Sequence, residues 1–222
     1  MENRFEGASW YPIMKTQNAA IVGLGATGTF FAFFLARAGV NNVKLVDFDS
    51  FESHNFGSQL ISQSAIGTNK AVATRDMLFK FTNVPNIFTS QVRVEETFYS
   101  SEIVVCTLDS MSGRKYMFEQ FLTDVNQKLF IDTRISAEYW EVYAITKNNQ
   151  ENIAKYKETL FSDEQGNVGA CNYQQSSHSA AGAAIQGVEL ITNYLNNILM
   201  DDDYLPFKCS KDLRTQNYQC SY

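Results

Sequence analysis

The chain is predicted to be α/β, with a Rossmann-like, mostly parallel sheet, helices on both faces and a short antiparallel extension; three observations carry this expectation. Apolar strand-like and helix-like segments alternate from Asn18 to about Asp132, with no Ser/Pro-rich linker and no internal repeat. A glycine turn at Gly23, Gly25 and Gly28 joins the first apolar strand, which ends at Ile21-Val22, to a helix running to about Ala38. The second strand ends in Val46-Asp47-Phe48-Asp49, and an acid at such a tip is placed to take ribose hydroxyls. In that order the pieces form a nucleotide- or dinucleotide-handling βαβ unit. Gly23 permits the tight turn, Gly25 lets the backbone approach a phosphate, and Gly28 lets the helix press on the strand, so the helix amides point at an anion.

The later elements follow from their patterning. A helix is expected to start at Lys70, a strand near Ile87 to Gln91 and another at Glu102 to Cys106, then a helix across Met111 to Val125 and a buried strand from Lys128 to Asp132. Glu138 to Thr146 alternates apolar and polar residues and is read as a half-exposed strand on the antiparallel extension. Gln165 to Gln175, with Gly166, Gly169 and several amides, is read as a mobile loop. The helix Ser176 to Met200 opens with SSHSAAGAAIQG, whose small side chains permit close packing against the sheet or against a symmetry mate. Phe30, Phe31, Phe33 and Phe34 crowd the first helix, so some must meet the sheet and the rest another helix or another chain. Residues 1–200 are assigned to one nucleotide-binding domain, and residues 201–222 to a polar C-terminal tail that is loosely attached or wraps a neighbour.

Composition narrows the classes. At 222 residues with 45% hydrophobic content the chain can bury one large core, and nothing in it demands a second. A formal net charge of −6 argues against a nucleic-acid footprint, which needs a basic patch large enough to displace counterions. No apolar run approaches the ~20 residues of a membrane span and no basic, apolar leader opens the chain, so a cytoplasmic location away from membranes is expected. Cys106, Cys171, Cys209 and Cys220 have neither metal-ligand spacing nor the regular spacing of a secreted framework. No zinc is expected, and a reducing compartment is.

Past Asp47 the pattern becomes more specific. Asn55, Gln59 and Lys70 follow in ESHNFGSQ and IGTNK, supplying amides and an ammonium that a triphosphate needs and a dehydrogenase does not. The run from Gly23 to Lys70 resembles the ThiF, MoeB and HesA superfamily, the adenylating domains of ubiquitin-activating-type enzymes. That family's pattern is a glycine turn, a DxD strand end, NxxRQ and then GxxK. Thr107-Leu108-Asp109-Ser110 leading to Arg114 resembles its aspartate and arginine after the fourth strand, and Cys171 with the small-residue helix through Gly182 and Gly187 resembles the cysteine and final helix of its bacterial members. Two departures stand out: Ser58 occupies the place of the family arginine, and the paired CxxC motifs of many members are absent.

The resemblance implies an ATP- and Mg²⁺-dependent adenylyltransferase acting on the C-terminal carboxylate of a small ubiquitin-like or sulfur-carrier protein, and a homodimer. It also implies roles. Gly23, Gly25, Gly28, Asp47, Asn55, Gln59 and Lys70 would bind nucleotide, with Lys70 on the phosphates, Asp109 holding Mg²⁺ and Asp49 orienting the loop to Asn55. Arg4 from the partner, with Arg75 or Arg114 in cis, would cover the triphosphate in place of the missing arginine. Asp109 has a second reading as the cap of the following helix. Cys171 either receives the activated carboxyl as a thioester or joins a carrier sulfur in a persulfide, or is an ordinary loop thiol; His54 and His178 are read as surface groups and Cys106 as core. Two further readings stay open: a catalytically weakened nucleotide-binding scaffold, motivated by Ser58, and an NAD-dependent oxidoreductase, supported by the glycine turn and Asp47.

Overall fold

Strands buried on both faces read as continuous apolar runs, and Ala19–Val22, Ile103–Cys106 and Leu129–Ile131 are each buried along their whole length. They form the middle of the sheet. The computed structural model describes residues 5–96, 100–162, 175–202 and 204–222. In chain order the elements are α1 (Tyr11–Met14), β1 (Asn18–Val22), α2 (Ala26–Ala38), β2 (Asn42–Val46), α3 (Lys70–Phe81), β3 (Asn86–Ser90), β4 (Ile103–Cys106), α4 (Met111–Thr123), β5 (Leu129–Ser136), β6 (Tyr139–Thr146), α5 (Gln150–Glu158), α6 (Ser177–Met200), β7 (Lys208–Asp212) and β8 (Asn217–Ser221). Short 3-10 turns cover Ser53–Gly57, Gln63–Ala65 and Val94–Glu96.

The strands join one eight-stranded sheet in the order β3-β2-β1-β4-β5-β6-β7-β8. From β3 to β5 all pairings are parallel. From β5 to β8 they are antiparallel. Chain order reverses between β1 and β4, and in open α/β sheets the crevice beyond the carboxyl ends of such a pair is where ligands bind. On one face, Leu35 of α2, Leu78 of α3 and Leu190 of α6 pack on Ile21, Leu45, Val105 and Ile131. On the other, Phe118 and Phe121 of α4 and Tyr156 of α5 pack on Val22, Val104, Phe130 and Ile145. The layered α/β architecture expected from the sequence is therefore present.

The small residues at the start of α6 serve this packing. A Cβ at Gly187 would stand 2.2 Å from the Phe31 ring, and one at Gly182 would stand 2.9 Å from Trp140 Nε1. The stripe thus receives α2 and β6 of its own chain. Phe31 is buried there, while Phe30 stacks on Phe34 with centroids 6.4 Å apart and Phe33 meets Phe81 of α3 at 6.5 Å.

Three expectations are corrected. The segment read as a loose tail forms β7 and β8, a hairpin that continues the sheet from β6. Its alternation of Lys208, Ser210 and Asp212 with a buried Cys209 hides a strand behind polar residues. Cys209 and Cys220 face each other across that hairpin in a disulfide, so two of the cysteines read as unpaired are joined. The buried strand read as ending at Asp132 runs on to Ser136, and α5 was not anticipated at all, its sequence QENIAKYKE being too polar to announce its one buried face. Of the segment Gln165 to Gln175, all but Gln175 lies outside the described residues. No helix among the described residues is long and apolar enough to cross a membrane.

Candidate nucleotide site

The loops after β1 and β4 meet at the point where strand order reverses. Gly23 takes φ +90°, and its amide donates to the Val46 carbonyl at 2.9 Å. The Thr107 hydroxyl donates to the Gly23 carbonyl, and the Thr107 amide to the Val22 carbonyl at 3.0 Å. A Cβ at Gly28 would fall 1.9 Å from the Gly23 carbonyl oxygen and 2.7 Å from Thr107 Oγ1, so only glycine allows α2 to close on this latch. Gly25 differs: a Cβ there would meet nothing within 4 Å. It precedes α2, whose N-terminus has no side-chain cap, so the first amides of a 13-residue helix have no side-chain acceptor for their partial positive charge.

The glycines therefore predict opposite phenotypes. Gly28→Ala is expected to lower stability by at least the ~1–3 kcal/mol of an overpacked contact. Gly25→Ala is expected to melt as the wild type does yet bind ATP more weakly. Thermal melts paired with calorimetric titration check both; a Gly25→Ala variant with unchanged ATP affinity would remove the phosphate role of this turn.

At the end of β2, Asp47 is buried and uses both carboxylate oxygens. The Leu24 amide donates to Oδ2 at 2.6 Å and the Asp49 amide to Oδ1 at 2.8 Å. Burial pushes its pKa up, and these two amides together with the charge of Lys70 oppose the rise. The carboxylate thus ties the glycine turn to the second strand and keeps lone pairs for a further donor. Asn69, which the sequence did not flag, clamps the same corner. Its Nδ2 donates to the carbonyls of Asp47 and Asp49, each at 3.0 Å, while its Oδ1 caps α3 through the amides of Ala71 and Val72 at 2.9 and 3.3 Å. An Asn directly before a helix is a readable cap, but its second grip on the β2 end is visible only in three dimensions.

Lys70 follows as the first residue of α3. Its side chain is 12% exposed and its ammonium lies 3.5 Å from Asp49 Oδ2. Asn55 is buried, with Oδ1 accepting the Glu52 amide at 2.9 Å. Ser58 donates its amide to the Asn55 carbonyl at 3.2 Å, and Leu60 donates to Thr29 Oγ1 at 3.1 Å, which fastens this loop to α2. Gln59 Oε1 is buried without a hydrogen-bond partner among the described residues. Asp109 is exposed in the β4–α4 connection, two residues before α4, and has no hydrogen bond or ion pair among the described residues. Ser110, not Asp109, caps α4, accepting the Gly113 amide at 3.3 Å.

The arginines stand elsewhere than expected. Arg114 is buried; one of its nitrogens donates to Asp132 and to the Thr133 carbonyl at 3.0 Å, and another to the Leu108 carbonyl. Burial, the largest single influence, opposes its charge, but the Asp132 carboxylate together with Cys106 and Tyr156 outweighs it and the pKa is raised. Arg114 therefore braces the Thr107–Ser110 loop from beneath rather than reaching a phosphate. Arg75 lies about 140° around α3 from Lys70 at 100° per residue, and its guanidinium grips Asp76 at 2.8 and 2.9 Å. Arg4 and Cys171 lie outside the described residues. His54 pairs on the surface with Glu52 at 3.3 Å, and His178 is likewise exposed.

Beneath the site runs a network that the sequence did not announce. Asp132 has no exposed surface, and besides Arg114 it accepts from Arg134 Nε at 2.8 Å and from the Tyr156 hydroxyl at 2.9 Å. Cys106 is adjacent, its thiol pushed up to about 12 by burial and by the Asp132 charge, so it stays protonated and inert. The Asp132-Thr133-Arg134 alternation was the available signal: two opposite charges on one face of a strand otherwise built for the core.

A nucleoside triphosphate suits these residues. The glycine cradle, the open space before α2 and the Lys70 ammonium are what an anionic phosphate chain requires, and the unpartnered Gln59 oxygen can accept from a hydroxyl or N–H group. Among the described residues no three His, Cys, Asp or Glu side chains converge on a metal position. Magnesium asks for less, one or two carboxylates completed by phosphate and water, and Asp109 offers one.

The model of the ThiF family matches residues 7–218. Molybdopterin-synthase adenylyltransferase of Escherichia coli is 38% identical over 66 residues, covering 29% of this chain and 26% of that protein. Adenylyltransferase and sulfurtransferase MOCS3 of Aedes aegypti is 27% identical over 107 residues, covering 46% of this chain and 24% of that protein. The aligned segments thus span about a quarter of these curated relatives' length. Among solved structures, E. coli MccB with succinimide superposes with a TM-score of 0.77 at 14% identity, covering 100% of this chain and 72% of that one. The same protein with ATP gives 0.73 at 16% identity, covering 96% and 65%. These structural likenesses establish a shared fold.

Proposed function

The chain belongs to the ThiF family, and from that premise we propose that it is an ATP-dependent adenylyltransferase that activates the C-terminal carboxylate of a small ubiquitin-like or sulfur-carrier protein. The observation that supports the reading is that the uncapped α2 N-terminus, Lys70 and Asp109 follow the carboxyl ends of the neighbouring parallel strands β1, β2 and β4. The adenylyltransferase relatives and the ATP-bound MccB support it.

In this reaction a carboxylate oxygen bonds to the α-phosphorus as the bond to the pyrophosphate oxygen breaks. Two anions must meet, so the protein's task is alignment and neutralisation of charge. The α2 amides and Lys70 hold the phosphate chain, Asn55 and Gln59 line the loop beside it, and Asp47 keeps the ribose at the end of β2. Asp109 is the residue that would hold magnesium, which supplies further neutralisation of the phosphates. Asp49 holds the Lys70 ammonium. Arg4 from a partner in a homodimer and Cys171 as acceptor keep the roles the family pattern implies.

Ser58 favours a second reading, a nucleotide-binding scaffold of the same family. One preorganised donor removed from a developing charge typically lowers the rate by about 10² to 10³, and Arg114 does not replace it. Isotope exchange between pyrophosphate and ATP separates the two. Adenylyltransfer predicts exchange that needs a carrier with a free C-terminal carboxylate and stops with the amidated carrier. ATP binding without exchange favours the scaffold, and no ATP binding in magnesium sinks both.

A further inference from the structure

The C-terminal strand is tied to the sheet by a covalent bond that the nucleotide site does not use. Among the described strands β8 is the last of the sheet and pairs with β7 alone. Cys209 and Cys220 are register partners in that pair, joined by the disulfide across a sequence separation of 11. The two residues have different surroundings: Cys209 has no exposed surface, whereas Cys220, on the outermost strand, is partly exposed. Beyond the ladder, Tyr218 holds β8 to the body of the protein. Its hydroxyl donates to Gln186 Oε1 of α6 at 2.9 Å, and its ring meets that of Trp140 edge-on with centroids 6.3 Å apart.

Both redox states of this pair have a place in the fold. A thiolate from a small thiol such as glutathione bonds to the outer sulfur, Cys220 Sγ, as the S–S bond breaks, and the electron pair leaves on Cys209 Sγ, which takes a proton. A second thiolate then attacks the glutathione sulfur of the mixed disulfide, freeing Cys220 as a thiol and leaving the reductant as its own disulfide. Cys209 returns as a neutral thiol in apolar surroundings, where free cysteine behaves as a small hydrophobe. Cys220 Sγ stands 3.0 Å from the Tyr218 hydroxyl oxygen, which can accept from the new S–H while its own proton stays on Gln186. What reduction removes is the closed loop, and closing a loop of about 12 residues shifts the equilibrium between docked and detached strand roughly a hundredfold. We propose that Cys209–Cys220 is a redox switch on β8: oxidised, it locks the C-terminal strand to the sheet, and reduced, it lets the strand detach and expose the edge of β7.

Hydrogen–deuterium exchange on the full chain, oxidised and in an excess of reduced glutathione, tests this, together with iodoacetamide labelling mapped by peptide mass. Glutathione is expected to open the bond in the native protein, so that Cys209 and Cys220 take up label while the buried Cys106 does not. The amides of β8, Asn217–Ser221, are then expected to exchange about 100-fold faster. Cys220→Ser, which cannot form the bond, is expected to show the faster exchange without glutathione, and reoxidation to restore slow exchange in the wild type. A bond that resists glutathione, as structural disulfides of low potential do, overturns the switch. So does labelling of Cys106 together with the pair, because reduction then unfolds the whole chain. Exchange of β8 that stays within about threefold in the two states overturns it as well.

Discussion

Lys70→Ala is expected to lower carrier-dependent pyrophosphate exchange by about 10² to 10³, the scale of losing one preorganised charge partner in a transition state, while the melting temperature barely moves. Arg75 is bound to its neighbour Asp76, Arg114 is buried against Asp132, and position 58 carries a serine. Lys70 is the ammonium that α3 holds at the rim, and its start is fixed there twice over, by the Asn69 cap and by the Lys70 amide donating to the Asp49 carbonyl at 2.8 Å. Its ion pair with Asp49 is 3.5 Å long and Asp49 is half exposed, so losing the pair itself costs only about 0–1 kcal/mol, to which the packing of the largely buried Lys70 stem adds. Exchange rate and thermal melt measured on the same preparation check both halves. Exchange within a fewfold of wild type would mean that the triphosphate is neutralised by another group.

The second large effect is structural. Asp132→Ala is expected to cost about 3–5 kcal/mol, because it leaves the guanidinium of Arg114 buried without its carboxylate and strips a partner from Arg134 and Tyr156. For a chain of 222 residues that corresponds to a fall in melting temperature of roughly 10 °C. Asp132→Asn, which keeps the shape and an acceptor but not the charge, is expected to fall between. The loss is not confined to stability: Arg114 also holds the Leu108 carbonyl, so the loop presenting Asp109 loosens with it and magnesium dependence of ATP binding shifts to higher concentration. A melting temperature within 2 °C of wild type, on the scale of about 1 kcal/mol, would mean that the network adds nothing beyond what apolar packing there would give.

Much of the glycine turn and its surroundings was legible before any coordinates. Gly23, Gly25, Gly28 and Asp47 stand within one βαβ unit, where local spacing alone dictates who meets whom, and Lys70 announces itself by opening a helix. The arginines misled because a guanidinium reads the same whether it faces a phosphate or a buried carboxylate; only the pairing of β4 with β5 brings Asp132 under Arg114. Asn69 was missed for a related reason, since its partners on the β2 end, the carbonyls of Asp47 and Asp49, lie some twenty positions away in the chain.

Local periodicity and turn chemistry, which act over a few residues, thus determined by themselves the α/β class, the parallel sheet through β5 and the glycine-turn cradle. Tertiary structure decided what depends on distant pairing: that the C-terminal residues close the sheet as a disulfide-linked hairpin, that the small stripe of α6 receives Phe31 and Trp140, and that Arg114 turns inward. A polar strand and a buried charge carry no apolar signature of their own. Their placement follows from whichever neighbour satisfies their backbone or their charge, and that neighbour is chosen only when the sheet assembles.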